Sequence, residues 1–384
     1  MDDATDQSSL ELLHHVGDRT AGLGPLLLEY GSADALIDAA DERLAELPAA
    51  TQQALAEFRR ARSAASTEKS RRGSLRLAGE HGSDSFLPIF DPRYPSALRA
   101  APDAPPWLFC RGDVSSLRRP AIAIVGSRRA SRAGLHAAEK LGRDLAASGY
   151  VICSGLALGV DAAAHRGALR RGETLAVLAS GLDRPSPRQH EHLARQVAAA
   201  GCLLSELPYG TAPHRGRFPR RNRIISGLCQ ATIVVEAALP SGSLHTAAAA
   251  LDQGRDVYVI PWSPFHSGGS GCLRLLRDGA TPITDLDELA DLFPPVAPGT
   301  PAVGTRDNAA NASSATAASD RAKGAALSDE EQRLLQLVGD ASLGPEELSA
   351  CSGIGPVRLF PMLASLELRG ALLRIDGRYQ RALR

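Results

Sequence analysis

Residues 121–160 read AIAIVGSRRASRAGLHAAEKLGRDLAASGYVICSGLALGV. The stretch begins with five apolar residues, turns at Gly126, continues with apolar residues at helical spacing and ends in a second apolar run, YVICS. A strand, a helix and a strand in this order form a βαβ unit, in which the two strands lie parallel in one sheet. Residues 121–160 therefore predict the start of a parallel sheet with a helix packed on its face.

The same alternation continues along the chain to about residue 285. The later apolar runs are TLAVLAS, CLLSEL, ATIVVEA and DVYVIP, and amphipathic stretches separate them. Strands that are apolar along their whole length are typical of a sheet covered by helices on both faces. The expected fold class is α/β, with a Rossmann-like doubly wound parallel sheet as a core that spans residues 86–293.

The segments on either side of this core have a different composition. Residues 1–70 carry apolar residues at helical spacing, interrupted by GLGP at 22–25, and predict a small helical domain of the SAM or helix-hairpin-helix kind. Residues 294–326 are rich in Ala, Pro, Ser and Gly and predict a disordered linker, because they contain too few large apolar side chains to form a core.

The last segment, residues 327–384, predicts a winged-helix domain. A capping signature at Ser328, a proline at 345 and apolar spacing from 357 to 369 indicate three short helices. The run LLRIDGRYQ follows, and its Asp376-Gly377 pair is a two-residue hairpin signal. Three helices followed by a hairpin is the order of elements in a winged helix.

Composition limits the location and the chemistry of the protein. The 384 residues have zero formal net charge, and no window approaches the roughly 18 apolar residues of a membrane span. The first residues, MDDATDQSSLELLHH, are acidic and polar, unlike a signal peptide, so a cytoplasmic protein with no membrane partner is expected. Six widely spaced cysteines without a CxxC pair predict neither disulfides nor a metal site, and no cofactor is expected.

Two clusters of arginine stand out against the neutral total. HRGRFPRRNR at 214–223 holds five arginines and no acid, and so does RRPAIAIVGSRRASRAG at 118–134. The turns GSRR and SGLALG, the arginine-rich segment and LPSGSLHT all follow strands, and loops at the carboxyl ends of parallel strands share one edge. Glycines, helix amino termini and arginines on one edge favour a ligand that carries phosphate.

Two kinds of phosphate ligand, dinucleotides and nucleoside triphosphates, are disfavoured because the chain lacks their motifs. The first turn reads GSRRAS where a dinucleotide site requires GxGxxG, and there is no GxxxxGK[ST] for nucleoside triphosphates. Arginines spread over two loops instead suit an extended polyanion. Phe218, set among the arginines, is interpreted either as a platform for a stacked base or as a core anchor.

Five motifs in order resemble one known family. VGSRRA at 125–130, SGLALGVDAAAHRGAL at 154–169, FPRRNRIISGL at 218–228, VVEAALPSGSLHTA at 234–247 and GCLRLLRDGA at 271–280 are similar to the DprA/Smf family of DNA-processing proteins. The resemblance implies a homodimer that binds single-stranded DNA without cutting it and helps to load the RecA recombinase during natural transformation. It implies that Arg128, Arg215 and Phe218 line the DNA pocket.

The residues expected to contact DNA lie in four of the segments that meet at the predicted edge, which ASGLD at 179–183 also reaches. They are Gly126, Ser127, Arg128, Arg129, Gly155, Arg215, Arg217, Phe218, Arg220, Arg221, Asn222, Ser241, Gly242 and Ser243. Among them, Arg220 and Arg221 are expected to be exposed, whereas Asn222 and its neighbour Arg223 are also expected to tie the loop to the core. The chain departs from the family pattern at Leu158, where an arginine is usual.

An enzyme is the competing class of function. Asp161 and His165 are four residues apart and would share a helix face as an acid/base pair, although Asp161 is equally suited to a helix amino terminus and would then pair with His165. A related group of nucleotide-binding, Rossmann-like enzymes hydrolyses nucleoside monophosphates through a glutamate in PGGxGTxxE, but the matching stretch SGSLHTAAA has Ala249 at that position. The sequence therefore favours a binding protein with no catalytic residue.

Overall fold

The computed structural model describes residues 20–38, 47–64, 84–286, 289–297, 300, 329–338, 343–352, 372–375 and 378–381, with single residues between these ranges. The chain divides into two compact units, Met1–Thr305 and Arg306–Arg384. Each unit has its own buried cluster of apolar side chains.

The described helices and strands follow the predicted alternation through the core. The helices are α1 Leu23–Tyr30, α2 Ala33–Ile37, α3 Ala49–Ala64, α4 Ser96–Arg99, α5 Arg132–Ala147, α6 Val160–Ala168, α7 Glu191–Ala200, α8 Arg217–Leu228, α9 Gly242–Asp252, α10 Ser270–Arg277, α11 Leu289–Leu292, α12 Asp329–Val338 and α13 Pro345–Ser352. The strands are β1 Asp84–Pro88, β2 Trp107–Gly112, β3 Ala121–Val125, β4 Val151–Ser154, β5 Thr174–Val177, β6 Cys202–Ser205, β7 Ala231–Val234, β8 Asp256–Val259, β9 Thr281–Pro282, β10 Leu372–Ile375 and β11 Arg378–Arg381.

The first unit is built on one nine-stranded sheet in the order β1-β2-β6-β5-β4-β3-β7-β8-β9. Strand β3 pairs in parallel with β4 on one side and with β7 on the other. The chain therefore winds outward from β3 through β4, β5 and β6, crosses back, and winds outward again through β7, β8 and β9. The predicted α/β fold with a doubly wound parallel sheet is confirmed.

Two strands at one edge of the sheet were not predicted. β1 pairs with β2, and β2 pairs with β6, both in antiparallel orientation. Their facing rings are close, with the centroids of Phe86 and Phe109 5.2 Å apart. An apolar run such as WLFC predicts a strand but not its direction, because direction depends on how the chain returns to the sheet.

The helices near the amino terminus pack on the same unit as the sheet. Leu27, Phe58 and Trp107 belong to one buried cluster. The GLGP stretch interrupts the helical segment at Gly22, which lies in a turn with a φ of 75° just before α1, whereas Gly24 and Pro25 belong to the first turn of that helix. Proline is compatible with the first helical turn, where its missing N–H has no intrahelical acceptor.

The segment after the core begins with contacts to the sheet unit. The Tyr150 hydroxyl donates to the Pro294 carbonyl at 2.9 Å, and the Val296 N–H donates to the Ser148 carbonyl at 2.8 Å. Residues 294–296, placed by composition in the linker, are thus attached to the core. Residues 301–328 lie outside the described part of the chain.

The described residues of the second unit include helices α12 and α13 and the paired strands β10 and β11. Helix α13 begins at Pro345 as expected, and β10 pairs with β11 in antiparallel register from Leu372↔Arg381 to Ile375↔Arg378. The hairpin signal Asp376-Gly377, the capping residue Ser328 and most of the third predicted helix lie outside the described residues. Within the described residues of the first and second units, no helix is both long and apolar enough to cross a bilayer.

Candidate nucleic-acid interface

The candidate interface lies where the sheet changes its winding direction. The loops after β3 and β7 leave neighbouring strands at this point, and they are joined by the backbone N–H of Ser127, which donates to the Glu236 carbonyl at 2.6 Å. Ligands of doubly wound sheets bind in the crevice at such a switch point, at the carboxyl ends of the strands.

Glu236 fixes the beginning of helix α5 rather than facing a ligand. Its buried carboxylate accepts the backbone N–H of Ser131 at 3.1 and 3.0 Å and the Ser131 hydroxyl at 2.7 Å. The same serine oxygen accepts the Gly134 N–H at 3.0 Å and so caps α5. A carboxylate at this position is also attracted by the partial positive charge at the amino terminus of the helix. Sequence reasoning had not assigned Glu236 this role, although its position directly after β7 placed it at this edge.

The GSRR turn presents its arginines to solvent. The Ser127 hydroxyl oxygen accepts the Arg129 N–H at 3.1 Å, which holds the turn in shape. Arg128 and Arg129 are exposed, whereas Gly126 lies against Val160 and the Glu236 carbonyl with no room for a side chain. The turn thus has a closely packed backbone and two accessible guanidinium groups.

The loop after β4 supports this turn from the other side. The backbone N–H of Val160 donates to the Ser127 carbonyl at 3.2 Å. Gly159 has a φ of 77°, and a Cβ there would overlap the Ser127 carbonyl oxygen. Glycine is therefore required at 159 both for its backbone angle and for the close approach of the two loops.

Asp161 and His165 do not form an acid/base pair. The Asp161 carboxylate accepts the backbone N–H groups of Gly155 at 3.2 Å and Ala157 at 3.3 Å, so it orders the loop at the start of α6. His165 Nδ1 is 2.7 Å from the Thr174 hydroxyl, and Nε2 has no hydrogen-bond partner among the described residues. The expectation that His165 pairs with Asp161 is wrong. Burial lowers the pKa of His165 to about 3, so the ring is neutral at physiological pH.

Arg221 is the largest departure from the expected site. Its side chain is 4% exposed, and its guanidinium donates to the carbonyls of Gly155, at 2.7 Å, and Val177. The expectation that Arg221 is exposed is therefore wrong. Gly155 has no room for a Cβ because the guanidinium lies against it, so these two residues of the predicted DNA contacts meet inside the protein.

Asn222 and Arg223 attach helix α8 to its surroundings, as was expected for that pair. The Asn222 side-chain amide donates to the Gly242 carbonyl at 3.1 Å, at the start of α9. Arg223 forms an ion pair with Glu206 and donates to the Asp103 carbonyl. Asn222 is buried, so this predicted DNA contact is placed in the support of the site rather than on its surface.

The other residues of the arginine segment lie nearer the surface. Arg215 is exposed, Arg217 donates to the Ala212 carbonyl at 2.7 Å, and Arg220 donates to the Thr20 hydroxyl at 3.3 Å. The Arg128 guanidinium carbon lies 4.9 Å from the centroid of the half-buried Phe218 ring. The structure therefore brings the two arginine-bearing segments together, as the parallel sheet predicted.

The serines at the start of α9 complete the edge. Ser241 is the N-cap of that helix, its oxygen accepts the Ser243 N–H at 3.4 Å, and the two hydroxyl oxygens are 2.8 Å apart. Ser243 is buried, whereas Gly242 is exposed. This predicted segment thus presents a helix amino terminus and a glycine backbone on the same edge as Arg128.

Part of the second arginine cluster does not reach the interface. Arg118 and Arg119 precede β3, whereas Arg128 and Arg129 follow it, so the two pairs lie at opposite ends of this strand. Arg119 pairs with Glu173 and also donates to the Gly149 carbonyl at 3.2 Å. Of these four arginines, Arg128 and Arg129 lie at the candidate interface.

Sequence comparison finds relatives of this architecture. The family DNA recombination-mediator protein A matches residues 85–294, and the DprA winged helix domain matches residues 317–378. Protein Smf of Synechocystis is 44% identical over 209 residues, which cover 53% of this chain and 52% of that protein. DNA processing protein DprA of Streptococcus pneumoniae is 42% identical over 197 residues, which cover 51% of this chain and 70% of that protein. The chain thus spans about half the length of the cyanobacterial relative.

Solved structures show the same fold. DNA processing protein A of Streptococcus pneumoniae superposes with a TM-score of 0.62 at 32% identity, covering 75% of this chain and 98% of that one. The Helicobacter pylori protein of the same name, whose structure describes a single-stranded DNA binding mode, gives a TM-score of 0.50 at 32% identity and covers 55% of this chain and 96% of that one. The predicted winged helix is confirmed by the domain match. With the sheet, its winding and the interface residues in place, the chain belongs to the DNA recombination-mediator protein A family, the DprA/Smf group of DNA-processing proteins.

Proposed function

We propose that this protein binds single-stranded DNA along the carboxyl edge of its sheet. The observation that carries the proposal is the contact of Arg128 with Phe218, 4.9 Å from guanidinium carbon to ring centroid. A cation that can hydrogen-bond to phosphate and an aromatic ring that can stack on a base are the two groups that a flexible nucleic-acid strand requires. The Helicobacter pylori relative, whose structure describes a single-stranded DNA binding mode, supports the same ligand.

The burial of Arg221 sets the expected number of phosphate contacts. Arg128, Arg129 and Arg215 are the exposed arginines of the GSRR turn and of residues 214–223, because Arg221 is internal and Arg223 is paired with Glu206. Each phosphate contact with a single strand contributes about −0.7 to the slope of log K against log salt concentration. We expect a slope of about −2, equal to a roughly twenty-fold loss of affinity between 50 and 200 mM salt.

The test is a titration of labelled single-stranded and duplex oligonucleotides at several salt concentrations. Tighter binding to the single strand, with the slope given above, would support the proposal. A slope near zero would contradict the proposal, because it would mean that the protein contacts no phosphates. A preference for duplex would also contradict it, because the proposed ligand is a flexible single strand.

The second candidate function is hydrolysis of nucleoside monophosphates, and we propose that the protein has no such activity. Ala249 occupies the position of the catalytic glutamate in the related enzymes, and Asp161 is engaged by backbone N–H groups. Incubation with nucleoside monophosphates should release no free base. Release of free base that disappears in an Asp161→Asn variant would favour the enzyme instead.

We further propose the two partners that the family resemblance implies, a second copy of the chain and the RecA recombinase. A dimer would place two DNA edges in one particle and raise the affinity for long strands through avidity. Light scattering should then give twice the monomer mass, and the protein should accelerate RecA filament formation on coated single strands. Monomers only, or no acceleration, would limit the function to DNA binding.

A further inference from the structure

Exposed apolar side chains accompany the arginines along the same edge of the sheet. Leu158 follows β4, Leu239 follows β7 and Phe265 follows β8, and these side chains are 37%, 47% and 97% exposed. We call these three residues the apolar rim. Since β4, β3, β7 and β8 are adjacent parallel strands, Arg128 after β3 lies between Leu158 and Leu239 in the order of the loops.

The exposure of Phe265 results from a well-defined turn. The His266 N–H donates to the Ser263 carbonyl at 2.9 Å, which closes a four-residue turn with Pro264 and Phe265 at its centre. The Trp262 indole N–H donates to the Val235 carbonyl at 2.7 Å and fixes the preceding residues. A loop fixed in this way holds the phenylalanine ring at its tip, away from the core.

This turn is attached to the residues that shape the DNA edge. His266 Nε2 lies 3.3 Å from the carboxylate of Glu236, which accepts the hydroxyl of Ser131 at the start of α5, directly after the GSRR turn. The Leu239 N–H donates to the Ser270 hydroxyl at 3.2 Å, so the loops after β7 and β8 are neighbours. The apolar rim and Arg128 therefore belong to one connected surface.

The side chains of this surface indicate which kind of ligand would bind there. A ligand that covers it must be anionic at Arg128 and Arg129 and must present flat apolar groups to Leu239 and Phe265. A peptide helix offers an apolar stripe without a regular row of phosphates, whereas single-stranded DNA offers both, because its bases are free to stack on side chains. Resting on the function proposed above, we propose that bases of the bound strand contact the apolar rim, with Phe265 stacking on one of them.

The experiment compares Phe265→Ala with the wild type for an oligothymidylate of about twenty nucleotides, long enough to cross several loops. Loss of one stacked base should weaken binding about ten-fold. The salt slope should stay unchanged, because no phosphate contact is removed. Phe265→Trp should retain the affinity, and a photoactivatable thymine analogue in the strand should cross-link to the 261–268 peptide.

Leu251→Ala is the matched control, because Leu251 is 57% exposed near the end of α9, which lies towards the amino ends of the parallel strands. It should leave the affinity unchanged. An unchanged affinity in Phe265→Ala would overturn the inference, and so would a ten-fold loss with a smaller salt slope or a loss not recovered in Phe265→Trp. If Arg128→Ala still weakens binding in that case, only the apolar rim is refuted. If the wild type does not bind single strands, the proposed function itself fails.

Discussion

Replacing Arg128 with glutamate is expected to lower the affinity for single-stranded DNA about a hundred-fold, or about 3 kcal/mol. The residue is exposed at the tip of the GSRR turn and lies over the Phe218 ring. The change removes a charge-assisted hydrogen bond to phosphate and places a negative charge against the strand, and each of these effects costs on the order of 1–3 kcal/mol. Fluorescence anisotropy with a labelled oligonucleotide at fixed salt measures the loss.

The neutral variant and a control separate this contact from a general effect of charge. Arg128→Ala should reduce the magnitude of the salt slope by about 0.7, the contribution of one phosphate on a single strand. Arg171→Ala removes another exposed arginine, from the loop before β5 at the opposite ends of the parallel strands, and should change neither affinity nor slope. Equal losses in the two alanine variants would mean that binding depends on net charge alone and not on this edge.

The sequence predicted the position of the interface because parallel strands impose it. AIAIV, VICS and ATIVV are apolar along their length and alternate with helices, so the loops after them must share one edge. The contact between Arg128 and Phe218, which are 90 positions apart in the chain, follows from that geometry. The same rule would have separated Arg118 and Arg119 from Arg128, since the two pairs lie on either side of one strand.

Burial of individual polar residues was less predictable. The expected exposure of Arg221 rested on the density of charge in FPRRNR. Helical periodicity carried the opposite signal, because Arg221 precedes Ile224 by three positions and Ile225 by four, and those residues form the buried face of α8. His165 was likewise assigned to Asp161 on helical spacing, but its ring faces Thr174 of the neighbouring strand. Such contacts depend on packing between elements, which a single sequence does not display.

Phe265 shows a further limit of sequence reading. From the sequence PWSPFHSGG, Phe265 could equally be a residue that anchors the loop to the core. The turn from Ser263 to His266 instead holds its side chain in solvent. Trp262 is the residue that anchors this loop. Which of two nearby aromatic side chains faces inward is decided by backbone geometry, not by composition.

Arg221 connects the stability of the fold with the shape of the interface. Its guanidinium joins α8 to the carboxyl ends of β4 and β5 through the carbonyls of Gly155 and Val177. Burial lowers the pKa of Arg221 and raises the pKa of Asp161, and the attraction between the two charges opposes both shifts. The buried arginine thus balances a buried carboxylate that itself orders the loop beside the GSRR turn.

Arg221→Met is therefore expected to lower the free energy of unfolding at neutral pH by about 3–5 kcal/mol, because it leaves Asp161 charged and unbalanced in the interior. Without the arginine, burial raises the pKa of Asp161 further above its unfolded value of about 3.9. A carboxyl group with a raised folded pKa stabilises the fold below the unfolded pKa, and this contribution is lost as pH rises through the folded pKa. The difference in stability between wild type and variant should therefore widen as the pH rises above the unfolded pKa of about 3.9.

Urea unfolding at a series of pH values measures this difference, and Arg171→Met is the exposed control, which should stay close to the wild type. The double variant Arg221→Met, Asp161→Asn removes the carboxylate as well, so its stability should lose the added pH dependence and recover part of the deficit. A deficit that is constant across pH, or that the asparagine leaves unchanged, would show that Arg221 acts only through its hydrogen bonds to the two carbonyls. The arginine would then stabilise α8 by geometry alone, and the charge of Asp161 would have no part in holding the edge that we propose to bind DNA.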